Sequence, residues 1–503
     1  MIAIKLSDTS FEYDIYSLVK AFYPRQDVVF ATEPNKDNLS YFIVIDLVSD
    51  YSDIIELYLY KKDADGKLLE TYHDTTNACF ADRKDTKNIL KRLLYNCLVV
   101  KTGQKLLWGT LNGIRPIKIP RVMLEDKKSI DEVRRYMRST YLASEDKIDL
   151  SIDIAEREIE LMDGINPKDS YSIYIGIPFC PTTCAYCSFT SYSYNIWKDK
   201  VDEYLNALRR ELIFVADNLT EKTLTTIYIG GGTPTSLEEQ YLDRLLTMIE
   251  EYLPVCSLRE YTIEAGRPDS ITLEKLDIIR KHGITRISIN PQTMNTRTLK
   301  IIGRHHTPED VRTSYESARE LGFDNINMDI IVGLPGEDIN DLEYTLSEIR
   351  DMKPDSLTVH SLAIKRSARL NVEKEDFEDY IINNSEKHMD LAMDVAKELD
   401  MKPYYLYRQK NMAGNLENIG FATKGHEGLY NVLIMEEKQT IIALGAGGDC
   451  KYVVPTDSDY TIRTGRTVLR SENVKDPGLY IDRIDEMINR KRQKLEEIGW
   501  LRD

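Results

Sequence analysis

From Tyr171 to about Asp400 the sequence repeats one pattern six times: a short run rich in β-branched and aromatic residues, then a longer amphipathic stretch. Strands are predicted near 171–177, 225–230, 259–264, 285–290, 325–332 and 356–361. Helices are predicted near 198–217, 238–252, 272–282, 308–321, 338–351 and 374–399. Alternating strands and helices imply a parallel sheet. Six units rather than eight predict an α/β fold of the open, partial (β/α)6 barrel type. Such a barrel keeps its chemistry at the carboxyl ends of its strands. Unusual polar residues should therefore sit where strands stop.

They do. The first strand runs into Tyr171–Phe189, YSIYIGIPFCPTTCAYCSF, where Cys180, Cys184 and Cys187 are spaced C-x3-C-x2-C with Tyr186 before the third. Strand two ends in Gly230-Gly231-Gly232-Thr233-Pro234, whose glycines let a backbone approach a ligand closely or simply make a tight turn. Strand three ends at Glu264, a carboxylate able to grip an amine or hydroxyl or to form an ion pair. Asn290-Pro291-Gln292 follows strand four. In strand five Asn325, Asn327 and Asp329 alternate with Ile326, Met328 and Ile330, so the polar set faces the interior. An interior Asp is costly unless it is paired or meets a ligand. Strand six carries His360 and leads through Ala363 to Lys365, Arg366 and Arg369.

Three thiolates in one short loop suit a [4Fe–4S] cluster that normally takes four, leaving one iron open for substrate or cofactor. Half of a zinc site and a buried structural trio are the competing readings. A zinc finger wants a second Cys or His pair at similar spacing, and His305-His306 is the only close histidine pair.

Around this core, residues 1–105 read as a small α+β domain. Ser10–Phe22 has helical spacing, Tyr41–Val48 and Ile54–Tyr60 form a hairpin, and Ala64-Asp65-Gly66 turns. Thr86–Val100 is a helix with Ile89, Leu90, Leu93, Leu94 and Cys97 on one side. Residues 106–170 are a linker and helical segment, beginning with the loop Trp108–Lys118, whose Arg115 and Lys118 could face an anion. Residues 171–400 hold the barrel, and 401–503 form a C-terminal α+β extension with the strand Tyr404–Lys410, the glycine turn Ile441–Gly448 and a charged helix from Leu479 to Trp500.

At 503 residues, 42% hydrophobic and 30% charged, the chain has ample core for two or three domains. Its charge of −17 argues against nonspecific nucleic-acid binding. No apolar run reaches the length of a membrane span, and the start lacks the apolar centre of a signal peptide. Seven cysteines without an export signal favour a reducing compartment, the cytoplasm.

C-x3-C-x-aromatic-C after a strand resembles the radical SAM enzymes. The longer string YIGIPFC…CAYCSF resembles their oxygen-independent coproporphyrinogen III oxidase group, and with the N-terminal extension the HemZ-type proteins. The resemblance implies a [4Fe–4S] cluster on Cys180, Cys184 and Cys187, with one or two molecules of S-adenosylmethionine (SAM). Tyr174 would lie against the cluster and the first SAM, which Gly231 and Glu264 would hold; Tyr174 and Glu264 are the catalytic candidates. Gly232, Thr233, Gln292, Arg304, Asp329 and Ala363 match positions lining a second SAM. The implied reaction converts two propionates of coproporphyrinogen III to vinyl groups, with electrons from a flavodoxin- or ferredoxin-type donor. Arg304, Lys365, Arg366, Arg369, Arg408 and Arg115 are candidates for gripping propionates. Phe189 replaces the extra cysteine of the best-characterised oxidases, a feature shared with HemW-type heme chaperones, and Asp449-Cys450 replaces small residues usual at the glycine turn. A heme chaperone and a heme-modifying radical enzyme therefore stand beside the oxidase.

Overall fold

The computed structural model describes residues 1–33, 38–49, 51–63, 65–189, 191–365, 367–377, 380, 382, 384–409, 416–456 and 458–501. Ala64, Arg366 and Lys410 lie outside the described residues. The chain divides into two compact units, Met1–Glu156 and Arg157–Asp503. Among the described residues, no helix is long and apolar enough to cross a membrane.

The first unit has a five-stranded sheet in the order Val28–Phe30, Ile2–Leu6, Tyr41–Ser49, Asp53–Lys62, Leu68–Asn77. The first three strands are parallel, and the last two join antiparallel as hairpins. Helices Glu12–Phe22 and Arg83–Thr102 close one face, burying Ile15, Leu18, Leu90, Leu94 and Cys97 against Ile4, Ile43 and Leu57. The Trp108 loop is packed rather than open: Trp108 is buried, and a Cβ on Gly109 would fall 2.0 Å from the Tyr141 carbonyl oxygen.

The second unit is built on an eleven-stranded sheet. Its strands are β1 (Ser170–Ile177), β2 (Thr223–Gly231), β3 (Glu260–Gly266), β4 (Arg286–Ile289), β5 (Ile326–Val332), β6 (Ser356–Ser361), β7 (Lys402–Tyr407), β8 (Asn418–Ala422), β9 (Thr440–Leu444), β10 (Asp449–Val453) and β11 (Val468–Glu472). The spatial order is β7-β8-β6-β5-β4-β3-β2-β1-β9-β10-β11. From β6 through β1 to β9 every pairing is parallel, while β7, β8, β10 and β11 add antiparallel pairs at the two ends. Helices α1 (Val201–Asn218), α2 (Glu239–Tyr252), α3 (Leu273–Lys281), α4 (Pro308–Glu320), α5 (Ile339–Met352) and α6 (Glu386–Glu398) supply the crossovers, and α7 (Leu429–Glu436) and α8 (Ile484–Glu497) follow in the C-terminal part. The expected parallel strand-and-helix core is present.

Three features differ from the sequence reading. The helix predicted over 374–399 divides into a 3-10 turn at Lys374–Phe377 and α6, which starts after Ser385, a residue type that begins a helix better than it continues one. The segment read as a glycine turn, Ile441–Gly448, first supplies β9, a seventh parallel strand whose buried Ile441, Ile442 and Leu444 pack beside β1. The charged C-terminal helix is not solvated all round. Lys491 on α8 is buried and donates to Glu211 Oε1 and Asn473 Oδ1, both at 2.6 Å. Glu211, buried on α1, also accepts from Tyr480 Oη, the Gly445 amide at 2.8 Å and Asn473 Nδ2 at 3.0 Å.

This network fastens the C-terminal helix to the turn after β9. Breaking a buried pair by removing one partner costs about 3–5 kcal/mol, whereas an exposed pair is worth at most about 1 kcal/mol. Lys491→Met should therefore lower the chemical-denaturation midpoint of the full chain sharply. Lys200→Ala, which breaks the exposed pair with Glu203, should leave it nearly unchanged.

Candidate active site

The carboxyl end of β1 is gripped by the backbone of the next strand. The Gly232 amide donates to Ile177 O at 2.8 Å, and the Thr233 amide to Phe179 O at 2.7 Å. Gly231 has φ +111°, and a Cβ on Gly232 would stand 2.5 Å from Phe179 O. These glycines are thus needed for the close approach itself, and the same turn faces a cavity. Beyond β1, Phe179–Cys180 pairs with Tyr192–Ser193. The Cys187 amide donates to Cys184 O at 3.1 Å, closing the cysteine loop. Ala185 exchanges backbone bonds with Ile302 and Leu370, and Thr182 Oγ1 donates to Gly303 O, so the loop is pinned along its length.

Cys180 Sγ lies 3.4 Å from Thr233 Oγ1, and Arg267 Nη1 lies 3.7 Å from Cys184 Sγ. Burial pushes the Cys180 thiol up to about 11, and burial raises Cys187 as well. Among the described residues, no three His, Cys, Asp or Glu side chains converge as one metal ion would require. The three cysteines instead line one cavity.

Opposite, on β3, Glu264 accepts a hydrogen bond from Tyr228 of β2. Tyr228 packs with Tyr174 of β1, at 6.2 Å and 15°, and with Tyr430 of α7, at 4.6 Å and 22°, and these two lie 6.3 Å apart, so the three rings form a triangle. Burial, reinforced by the Asp329 charge, pushes the Glu264 carboxyl up to about 7. Asp329 on β5 goes the other way. Burial raises it, but the hydrogen bond from Asn327 and the polar His360 and Thr358 beside it outweigh that and hold it below its ordinary value. His360 Nε2 lies 3.8 Å from Asp329 Oδ2. Asn327 and Asp329 share one side of β5, as alternation predicts.

After β4, Gln292 holds φ +65°, a left-handed conformation unusual for a residue with a side chain. Its amide donates to Asp329 O and its carbonyl accepts from the Ile331 amide, both at 2.9 Å, which fixes it there. Strain of this kind persists where surroundings over-determine it, often at a functional site. Gln292 Oε1, Asn290 Oδ1 and Arg304 Nε are buried with no hydrogen-bond partner among the described residues. Arg304 is buried and donates from Nη1 to Asn290 O, rather than standing on a surface helix end.

Tyr174, Gly231, Gly232, Thr233, Glu264, Gln292, Arg304, Asp329 and Ala363 all line the same cavity as Cys180, Cys184 and Cys187. Its volume is about 1350 Å³ counted out to open solvent. Of the proposed propionate partners, Arg304 and the exposed Lys365 line it. Arg369 does not, and pairs with Glu373 at 2.8 Å. Arg408 is buried away from the lining, and burial pushes its guanidinium down to about 10. Arg115 belongs to the other unit. Sequence reasoning missed Tyr228 and Arg267. Tyr228 precedes Gly230 by two in the strand, so alternation could have found it. Arg267 and the stacked Tyr430 carry no comparable local signal.

The Radical SAM superfamily model matches residues 174–349. Over 419 residues the chain is 41% identical to the oxygen-independent coproporphyrinogen-III oxidase-like protein HemZ of Bacillus subtilis, covering 82% of each. It is 43% identical over 195 residues to the heme chaperone HemW of Bacillus subtilis, a match to 39% of this chain and 51% of the relative. The solved structure of coproporphyrinogen III oxidase (HemN) from Escherichia coli, a radical SAM enzyme, aligns with 66% of this chain and 72% of its own at a TM-score of 0.50 and 21% identity, a likeness of fold. Radical SAM proteins carry a [4Fe–4S] cluster and SAM. The site fits both: three thiols ring one cavity, and unpartnered buried acceptors at Asn290 and Gln292 suit a donor-bearing ligand.

The raised carboxyl of Glu264 makes ligand-free stability depend on pH. Its ordinary value is 4.5, so the stability it contributes is fully present below about pH 4.5 and is lost as pH rises to about 7. At about 1.4 kcal/mol per unit, the loss comes to about 3 kcal/mol. Glu264→Gln removes the ionisation while keeping an acceptor for Tyr228. Thermal unfolding of the ligand-free protein should show this variant more stable than the parent at pH 8, with the gap closing toward pH 5.

Proposed function

From the premise that the chain belongs to the radical SAM superfamily, among its coproporphyrinogen oxidase-like proteins, we propose that it oxidatively decarboxylates two propionates of coproporphyrinogen III to vinyl groups, giving protoporphyrinogen IX. The observation that carries this reading is the gathering of residues from successive strand ends, with all three cysteines, around one cavity. Cys180, Cys184 and Cys187 would each hold one iron of a [4Fe–4S] cluster, leaving the fourth for SAM. Tyr174, Gly231 and Glu264 would hold that SAM. Gly232, Thr233, Gln292, Arg304, Asp329 and Ala363 would line the place of a second. When bound, the cluster and SAM supply a carbon radical that abstracts hydrogen.

For each propionate, a hydrogen atom leaves the β-carbon, carbon dioxide departs and one further electron passes to an acceptor, leaving a carbon–carbon double bond. The protein binds, orients and shields. Asp329, held ionised by its neighbours, offers an acceptor for ligand hydroxyl or amine groups. Arg304 and Lys365 are the cavity cations nearest in kind to what propionates need. A flavodoxin- or ferredoxin-type protein would deliver the electron to the cluster, and the free cysteines suit the cytoplasm. A second reading, a HemW-like heme chaperone, draws on Phe189, which lines the cavity where the best-characterised oxidases carry a further cysteine. A heme-modifying radical enzyme would use the same machinery.

Changing Cys180, Cys184 or Cys187 to Ser should remove about 4 irons per chain after anaerobic reconstitution, because a hydroxyl replaces thiolate poorly. Changing Cys79, Cys97, Cys256 or Cys450 should leave iron content alone. Glu264→Ala should weaken SAM binding about tenfold or more, the loss of one charged contact. With reductant, SAM and coproporphyrinogen III under anaerobiosis, a monovinyl intermediate and then protoporphyrinogen IX should appear, with at least one methionine and one 5′-deoxyadenosine per propionate removed. Stoichiometric heme binding without vinyl product would identify the chaperone, and consumption of heme the modifying enzyme.

A further inference from the structure

Arg267 stands just past β3 and is 2% exposed. Asp269 takes its Nε at 2.9 Å and its Nη2 at 2.6 Å. That grip uses one side of the guanidinium fork and turns Nη1 toward the cysteine loop. There it donates to Thr182 O at 2.8 Å and Oγ1 at 2.9 Å, and reaches Cys184 Sγ at 3.7 Å. Arg304, also buried, is near enough for its charge to act on the same sulfur. One guanidinium therefore donates to this loop thiol and a second adds its positive charge.

Holding the loop does not by itself call for a guanidinium. The Thr182 contacts could be made by a neutral donor, and burying an Arg–Asp pair carries a desolvation cost that a neutral group avoids. What a neutral donor does not provide is a charge-assisted hydrogen bond to a buried sulfur. Reducing an iron–sulfur cluster adds one negative charge. Hydrogen bonds to its sulfurs and nearby positive charge favour that reduced form and raise its potential.

We propose that Arg267, oriented by Asp269, raises the one-electron reduction potential of the cluster bound through Cys184 by donating a charge-assisted hydrogen bond to that thiolate. The inference rests on the cluster assignment of the proposed function. It makes Arg267 a tuning residue acting through a ligand, and it gives Asp269 the opposite sign. Removing the arginine charge lowers the potential; removing the aspartate charge leaves the guanidinium less neutralised and raises it.

The test is an EPR-monitored redox titration of the anaerobically reconstituted full chain without SAM, after its iron has been measured. Parent protein that takes up no iron would overturn the cluster reading and this inference with it. In Arg267→Gln the ratio of reduced to oxidised cluster at fixed potential should fall about tenfold, a shift of about 59 mV for a one-electron couple. Asp269→Asn should move the potential upward. If Arg267→Gln does not load four irons, Arg267→Lys keeps the charge but not the fork and should show a smaller downward shift. A loaded Arg267 variant with the parent potential, or an Asp269→Asn shift that is absent or downward, reduces Arg267 to a clamp on Thr182 and overturns the proposal.

Discussion

The site depends on backbones that meet with no side chain between them. On one flank of β1, Gly231 and Gly232 lie against Ile177 and Phe179. On the other, Gly445 has φ +87°, and a Cβ there would stand 2.3 Å from Gly176 O. Tyr204 Oη donates to that same carbonyl at 2.6 Å and accepts from the Ala446 amide at 3.0 Å. The strand that launches the cysteine loop is thereby fixed on both sides at its last residues. Adding even a methyl group at Gly232 or Gly445 would push the strands apart and move the cysteines relative to Glu264. The buried Glu211 network sits one step behind, since Glu211 holds the Gly445 amide and Lys491 satisfies Glu211. A helix near the end of the chain is thus mechanically connected to the strand that presents the first cysteine.

Much of this was legible because it obeys short periods. Alternation located all six strand-and-helix units, and attention to polar residues at strand ends singled out Glu264, Gln292 and Asp329, which line one cavity. The misreadings have physical causes. Thr440–Leu444 is a strand and Gly445–Gly448 a turn, but the glycines dominated the pattern and hid β9. Lys491 sits in a run of charged residues on α8 and looks solvated; only the three-dimensional placement of Glu211 shows otherwise. Arg369 and Arg408 were plausible anion partners by type, yet one is satisfied by Glu373 on its own turn of helix and the other is buried away from the cavity. Tyr430 reaches the Tyr174–Tyr228 stack from α7, a distance along the chain that no local pattern spans.

The cavity separates its charges by environment rather than by residue type. Glu264 and Asp329 are both half-buried carboxylates, and the Asp329 charge acts on Glu264, which by itself discourages two negative charges in one place. The neighbours resolve the conflict. Asp329 is surrounded by His360, Asn327 and Thr358, all favouring its anion, while Glu264 has Tyr228 and the Gly231 amide against desolvation and the Asp329 charge. In the ligand-free protein, Asp329 is therefore the fixed anion and Glu264 the group whose charge can follow a ligand. Under the proposed function this division has a use: a cationic ligand arriving at Glu264 would supply the positive charge that makes its ionisation favourable.

The same logic runs in reverse beside the cysteines. Arg267 and Arg304 are both buried, and their like charges raise the cost of burial. Asp269 offsets part of that cost for Arg267 through two hydrogen bonds, and the Asn290 carbonyl takes one donor of Arg304. What remains is positive charge aimed at Cys184, with no carboxylate of equal proximity to cancel it among the described hydrogen bonds. A pocket that carries such charge near a thiol is poorly arranged for an empty, neutral state and better arranged for one in which the sulfur carries negative charge. The chain overall is acidic, at −17, so this positive corner does not follow from composition. It exists because β3 and the segment after β4 each place one guanidinium against the loop that β1 begins.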